Sequence, residues 1–357
     1  MKAVLLTGHG GPEKLEYRED VAAPEAAEGE VLIEVGAAGV NNTDIWTREG
    51  AYGSEVDPES TGGWRRGESM EFPRIQGLDI AGRIVGVGNG VPESRIGERV
   101  LVDFAVYSAD ENLTDAVIIG SKRDGGFAEY VTVPAENSHP LETQLTDEEL
   151  ATFPTAYLTA EHMLNRARVS EGETVFITGA SGGVGSALVQ LARLREARVV
   201  AMVGPGKEDM ARDLGAEAVV ARGAENLSEG TLNAVGRHQF DVVADVVAGG
   251  IFAELLGILK PLGRYVTAGA IAGPMVNLDL RTLYLKHLEL IGSTGGTHEE
   301  FSDLVEYIQD GKIKPLLAGT YPLSEIRQAQ EDFKKKNFFG KLVLVPNRKS
   351  KAFVSNA

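Results

Sequence analysis

The chain has 357 residues, 43% of them hydrophobic and none cysteine, and a net charge of −17 from 35 basic and 52 acidic side chains. That length exceeds what one hydrophobic core usually supports, so two domains are expected; the lack of cysteine excludes disulfides, thiolate nucleophiles and every cysteine-bearing zinc site. The acidic balance repels nucleic acid and anionic membrane surfaces, and neither is an expected partner; its plainer meaning is solubility.

In chain order, MKAVLLTGHGGPEKL opens with an apolar run too short for a signal peptide. No later segment reaches the roughly 18 unbroken apolar residues of a membrane helix, so a cytoplasmic location is expected. VLIEVGAAGV, DIAGRIVGVG, RVLVDFAVYS and FAEYVTVPA then alternate with turn clusters such as GNG and RDGG, as in an irregular, mostly β domain. TDEELATFPTAYLTAEHMLNRA reads as one helical stretch, with Thr146 as N-cap and Glu149 completing a capping box. From there short apolar runs (TVFITGA, RVVAMVG, AEAVVA, FDVVADVV, GRYVTAGA, HLELIGST) alternate with amphipathic helices, the pattern of a parallel sheet covered on both faces. From Thr297 a capped helix, THEEFSDLVEYIQDG, and the strand KLVLVP close the chain and are expected to return to the first domain.

The strongest local signal is TVFITGASGGVGSALVQLA, a buried strand running into a glycine turn and a helix. Gly182 lets backbone approach a pyrophosphate, Gly185 lets the helix pack on the strand, and Ala180 takes the usual place of the first glycine. NAD sites want an acid at the end of the second strand, but that end here reads AMVGPGKED. Gly204, Pro205 and Gly206 leave room for a further phosphate, Lys207 follows and Arg222 ends the next strand, which favours NADPH. Against this, Lys207 and Arg222 can equally be solvated surface charges, with Glu208 and Asp209 beside them.

The ordered series GVNNTDIWTREGAY, FPRIQGLDIAGRIVGVG, IGERV, GGFAEYVTVP, LTA, TGASGGVG, LIGST, GKIKPLL and FFGKLVL resembles the medium-chain dehydrogenase/reductase superfamily, in its zinc-free quinone oxidoreductase-like branch. The resemblance implies an α/β protein with a GroES-like, mostly β catalytic domain (1–152 and 297–357), a Rossmann doubly wound parallel-sheet domain (153–296), and a cleft where nicotinamide meets substrate. It also implies a cofactor site of Asn41, Thr159, Ala180, Ser181, Gly182, Gly183, Val184, Gly204, Lys207, Arg222, Ala248, Gly269, Ala270, Ile271, Phe339 and Lys341. In the zinc members the metal ligands are a Cys of Gly-Val-Cys-His-Thr-Asp, a His of Gly-His-Glu, and a Cys or His just before a Thr-Ala. Those places here hold Asn41, Leu78 and Thr155. VDFAVYSADENLTDAVIIGSKRD resembles a shortened structural-zinc lobe without its four cysteines. The six histidines show no metal-binding spacing, so no metal is expected.

A site without zinc lacks Lewis-acid help, which suits quinones and enones better than simple alcohols. By resemblance Asn41 lies beside the nicotinamide, and Tyr52 holds the place of the proton donor of enoyl reductase relatives. Two plainer readings stand beside these: Tyr52 packs under Trp46, and Asn41 serves a tight turn. Asp44 is expected to order its loop, and Asp79 to pair with an arginine. The long loop GSEVDPESTGGWRRGESMEFPRIQGLD carries Trp64, Arg65 and Arg66, candidates either for recognising an anionic or planar substrate or for a lid or subunit contact. The expected function is NADPH-dependent reduction of a quinone or α,β-unsaturated carbonyl. A non-catalytic NADPH-binding protein and a zinc-free alcohol or aldehyde oxidoreductase are the alternatives. Relatives pair through the strand corresponding to HLELIGST, so a homodimer is expected.

Overall fold

A computed structural model describes residues 1–52, 70–107, 116–223, 227–236 and 239–346. Trp64, Arg65 and Arg66 lie outside the described residues. The chain divides into two compact units: residues 1–155, 297–337 and 341–357 form one, and 156–296 with 338–340 form the other. The division falls after Thr155 rather than at 152, and the short run 338–340 belongs with the second unit instead of the first.

The first unit is built on a seven-stranded sheet. Its order is Ser138–Pro140, Arg99–Val102, Asp79–Val87, Glu30–Gly39, Lys341–Val345 and Leu317–Pro322, with Tyr130–Pro134 also paired to Glu30–Gly39. From Glu30 to Ala37 half-buried and buried residues alternate, the period-two signature that the sequence shows, and Ala38 and Gly39 are buried as well. Register decides what this sheet brings together: Gly39 lies opposite Asp79 on one side and Val343 on the other. The ends of three strands therefore deliver Asn41, Asp79 and Lys341 to one place. Gly39 must be glycine there, because a Cβ would stand 2.4 Å from the Ala151 carbonyl and 2.8 Å from Asp79 Oδ2.

The expected single helix after Thr146 is two. Asp147–Leu150 is capped by Thr146 and Glu149 as the sequence suggests, and a second helix, Pro154–Arg166, begins at a proline. Proline has no N–H to give a preceding turn but suits the first helical position, so it ends one helix and starts the next. The helix His298–Gln309 has the expected Thr297–Glu300 capping box.

The second unit is a six-stranded parallel sheet. Its order is Ala218–Ala221, Arg198–Val203, Thr174–Ile177, Phe240–Asp245, Leu259–Thr267 and Glu289–Gly292. In chain order this is third, second, first, fourth, fifth, sixth, so the direction of winding reverses between Thr174–Ile177 and Phe240–Asp245. Ligands of open parallel sheets bind at that reversal, beyond the carboxyl ends of the strands. Both ends are shaped by close backbone contact. The Gly185 position would put a Cβ 2.2 Å from the Gly179 carbonyl, so glycine is what seats the helix Gly183–Leu194 on the turn. Asp245, fully buried, accepts hydrogen bonds from Thr178 Oγ1, from Tyr265 Oη at 2.5 Å, and from the Val247 and Ala248 amides. These bonds hold Ala248 at φ +56°, a conformation L-residues avoid without such support.

Candidate active site

Asn41 caps the helix Asn42–Glu49, and its amide N–H donates to Asp44 Oδ2 at 2.7 Å. Asp44 thus orders the loop, as expected. The Asn41 side chain is also committed: Nδ2 donates to Asp79 Oδ2 at 3.0 Å, and Oδ1 accepts from Lys341 Nζ at 2.5 Å. Lys341 Nζ also meets Asp79 Oδ2 at 2.6 Å, and Asp79 Oδ1 accepts the Thr155 amide at 2.7 Å. Asp79 is fully buried and Lys341 is 4% exposed, so this is an ion pair out of water with every Asp79 oxygen bonded. The expected arginine partner is a lysine from the last strand. Lys341 itself, placed with the cofactor by resemblance, is held by Asn41 and Asp79.

The network also tests whether zinc fits the place its relatives give it. Leu78 is buried and offers no donor, Asn41 Oδ1 already accepts from an ammonium, and that ammonium already pairs with Asp79. A dication does not fit this donor set. Thr155 Oγ1 is buried without a partner.

Tyr52 is half-buried on the adjoining loop; its Oη donates to Thr43 Oγ1 at 3.2 Å, and its ring meets Trp46 edge-on at 5.6 Å between centroids. Both readings of Tyr52 keep their geometry: it packs on Trp46, and its phenol is hydrogen-bonded to a hydroxyl that can pass on a proton.

In the second unit the glycine turn leaves room for a dinucleotide. No side chain caps the helix Gly183–Leu194, whose first amides therefore face outward, and Ser181, Gly182, Gly183 and Val184 are all partly accessible. Ala180 is buried and donates its amide to the Met202 carbonyl, while the Ser181 carbonyl accepts the Gly340 amide. That last bond draws the half-buried Phe339 and its neighbours to the turn. Thr159 is buried on the helix Pro154–Arg166. On the other side of the reversal stand Ala248, Gly269, Ala270 and the 45%-exposed Ile271; a Cβ on Gly269 would lie 3.1 Å from the Val246 carbonyl.

At the end of Arg198–Val203, the Arg222 guanidinium lies 3.7 Å from where a Gly204 Cβ would be. Lys207 Nζ donates to the Phe338 carbonyl at 2.7 Å. Burial and then the charge of Arg222 push Lys207 below the ordinary lysine range, so two cations share this end. Asp209 pairs with Arg212 at 2.8 Å.

One cluster escaped the sequence. Asp103, His139 and His298 each place a donor atom within 4.8 Å of the others. His298 Nδ1 meets Asp103 Oδ2 at 2.5 Å, and His139 Nε2 is buried without a partner. Burial raises the Asp103 carboxyl against the opposing pull of His298; burial, then the charges of His298 and Arg95, push His139 down to about 4. No spacing motif announces three residues drawn from such distant segments.

These features define a two-unit protein, with a nucleotide-type parallel sheet in one unit and a mixed β sheet assembled from both chain ends in the other. Residues 27–143 match the alcohol dehydrogenase GroES-like domain, and 183–310 match the zinc-binding dehydrogenase family. Quinone oxidoreductase from Lama guanicoe is 30% identical over 93% of each chain. Acryloyl-coenzyme A reductase from Metallosphaera sedula is 30% identical, covering 96% of this chain and 99% of its own. A solved Sinorhizobium meliloti 1021 protein, named for the alcohol dehydrogenases, is 59% identical over 97% of each chain with a TM-score of 0.94. The chain belongs to the medium-chain dehydrogenase/reductase superfamily and is quinone oxidoreductase-like. No helix among the described residues is long and apolar enough to cross a membrane.

Asp44 gives the site a pH signature. Burial first, and the nearby Asp79 charge, push its carboxyl up to about 7, above the roughly 3.9 of an unfolded aspartate. The folded state then keeps a proton that the unfolded chain gives up. Stability from this group is full below about pH 4 and is lost as pH rises toward 7. Asp44→Asn keeps an oxygen for the Asn41 amide and removes the titration, so urea midpoints should fall less between pH 4.5 and 8 than in the parent. An equal fall in both proteins would contradict the assignment.

Proposed function

We propose that this chain is an NADPH-dependent reductase that delivers hydride to a quinone or an α,β-unsaturated carbonyl without a catalytic metal. The observation that carries the reading is the buried Lys341 ammonium, 2.5 Å from Oδ1 of Asn41 and 2.6 Å from Asp79 Oδ2; by resemblance Asn41 holds the place of a zinc ligand. Such a site offers no Lewis acid to an alcohol or simple ketone. A conjugated acceptor needs less, only hydrogen bonds to the oxygen on which charge develops. The quinone and acryloyl thioester substrates named for two relatives are acceptors of this kind.

The reduced nicotinamide supplies the hydride. In this chain, the amides that open the helix Gly183–Leu194 bind the pyrophosphate, Gly204 leaves room beside the adenosine ribose, and Lys207 with Arg222 neutralises a 2′-phosphate. Tyr52 donates a proton to the enolate oxygen or carbon, and Thr43 holds its phenol in position.

The proposed assembly is a homodimer through Glu289–Gly292, the edge strand of the parallel sheet. Met275, Leu280, Tyr284, Leu285 and Leu290 stand exposed at 39–81% in the segment leading to and including that strand, more apolar surface than an edge facing water usually carries. Light scattering at micromolar concentration should return the dimer mass; a monomer mass would end this part of the reading.

Two measurements address the chemistry. By fluorescence titration NADPH should bind at least about tenfold more tightly than NADH, about 1.4 kcal/mol, with the gap closed in Lys207→Ala/Arg222→Ala. Equal affinities in the parent would remove the 2′-phosphate site. For the proton, Tyr52→Phe should lower kcat on an enone by about 100-fold at saturating NADPH while NADPH affinity holds, and should lower it less on a quinone, whose hydroquinone anion water can protonate. An unchanged kcat on both would leave Tyr52 as a wall packed on Trp46.

A further inference from the structure

Asp103, His139 and His298 come from three separated stretches of the first unit. Asp103 follows the strand Arg99–Val102, His139 lies in the neighbouring strand Ser138–Pro140, and His298 is the first residue of the helix His298–Gln309. The pairing of Val102 with Ser138 sets the first two side by side. Asp103 is fully buried, and the His298 side chain is 24% exposed. The His298 ring packs edge-on against Tyr107 at 4.9 Å, and the His139 ring against Phe301 at 4.8 Å, so both imidazoles are held by aromatic walls. Asp103 Oδ1 accepts the Ala105 amide at 3.0 Å, which fixes the carboxylate and leaves Oδ2 toward His298.

One atom here lacks a purpose in the protein alone: His139 Nε2, buried with no hydrogen-bond partner. Buried polar atoms are nearly always satisfied, and His139 also offers one ring nitrogen to a cluster with two further donors. The three donor atoms lie within 4.8 Å of one another. Ligands about 2.0–2.1 Å from a tetrahedral zinc stand about 3.3 Å apart, a spacing that side-chain rotations of about 1 Å would reach.

We infer that Asp103, His139 and His298 form a binding site for a first-row transition-metal dication, with two imidazole nitrogens and one carboxylate oxygen as protein ligands and water at the partly exposed His298 side. Two nitrogens and one oxygen select zinc, cobalt or nickel over calcium and magnesium, which want oxygen alone. The metal takes the place of the proton shared by Asp103 and His298, supplies the partner that His139 Nε2 lacks, and ties two strands to the start of a helix. It is separate from the Asn41–Asp79–Lys341 network, which a cation already fills.

The test uses the full-length protein stripped with chelator, with Co²⁺ and Zn²⁺ as probes. Expected are visible Co²⁺ bands of four- or five-coordinate intensity at one equivalent, loss of those bands on adding Zn²⁺, and a higher melting temperature with Zn²⁺ but not Mg²⁺. His139→Ala and His298→Asn should each weaken Zn²⁺ binding by at least tenfold; the asparagine can still donate to Asp103, so that variant separates metal binding from the loss of the Asp103 hydrogen bond. Circular dichroism checks that both variants fold. No binding at 100 µM Zn²⁺, or affinity unchanged in both folded variants, would overturn the site. So would a His298→Asn protein that lost the same stability with and without metal.

Discussion

The strand ends and helix starts around Asn41 and Thr155 in the first unit hang on one buried carboxylate. Asp79 sits at the start of its strand, fully out of water, and binds a lysine ammonium, an asparagine amide and a backbone N–H at once. A buried ion pair contributes little net stability, because desolvation consumes most of the attraction, yet removing one partner from such a pair strands a charge at a cost of about 3–5 kcal/mol. The network therefore acts chiefly as a geometric constraint. It fixes Asn41 at the helix start, fixes Thr155 at the next helix, and holds the Lys341 ammonium between Asn41 and Asp79.

The second unit has its own buried carboxylate, solved differently. Asp245 takes hydroxyl and amide donors only, from Thr178, Tyr265, Val247 and Ala248. These bonds hold the loop after its strand in a conformation that alanine would not choose, next to the glycine turn where the winding reverses. One aspartate faces a lysine and the other faces neutral dipoles, and each anchors the loops at the end of its own sheet.

How much of this could be read from the residues depends on distance along the chain. The glycine turn, the Thr146 and Thr297 capping boxes and the six parallel strands are local patterns, and the sequence shows them. Pro154 was legible in principle, but a continuous apolar rhythm across it masked the break between two helices. The partner of Asp79 was misjudged as arginine because Lys341 arrives by strand register from 262 residues away. The Asp103, His139 and His298 cluster had no local signal at all, since its geometry is made by a strand pairing and a helix start. The run 338–340 was equally hidden: it follows the second unit through bonds from Gly340 to Ser181 and from Lys207 to Phe338 while its flanks follow the first.

The strand Lys341–Val345 has a further meaning when the order of synthesis is considered. Chains leave the ribosome from the amino end and domains fold as their residues emerge. The strands Glu30–Gly39 and Asp79–Val87 exist long before Lys341 does, whereas the parallel sheet of the second unit is complete once residue 292 has been made. Until residue 341 appears, the part of Glu30–Gly39 that ends at Gly39 lacks the second of its two neighbours, and Asp79 lacks its cation. A nascent chain thus carries Asp79 without its ammonium partner, and the parallel sheet, encoded in the middle, can be finished before the β sheet that was begun first, while its unit still waits for residues 338–340.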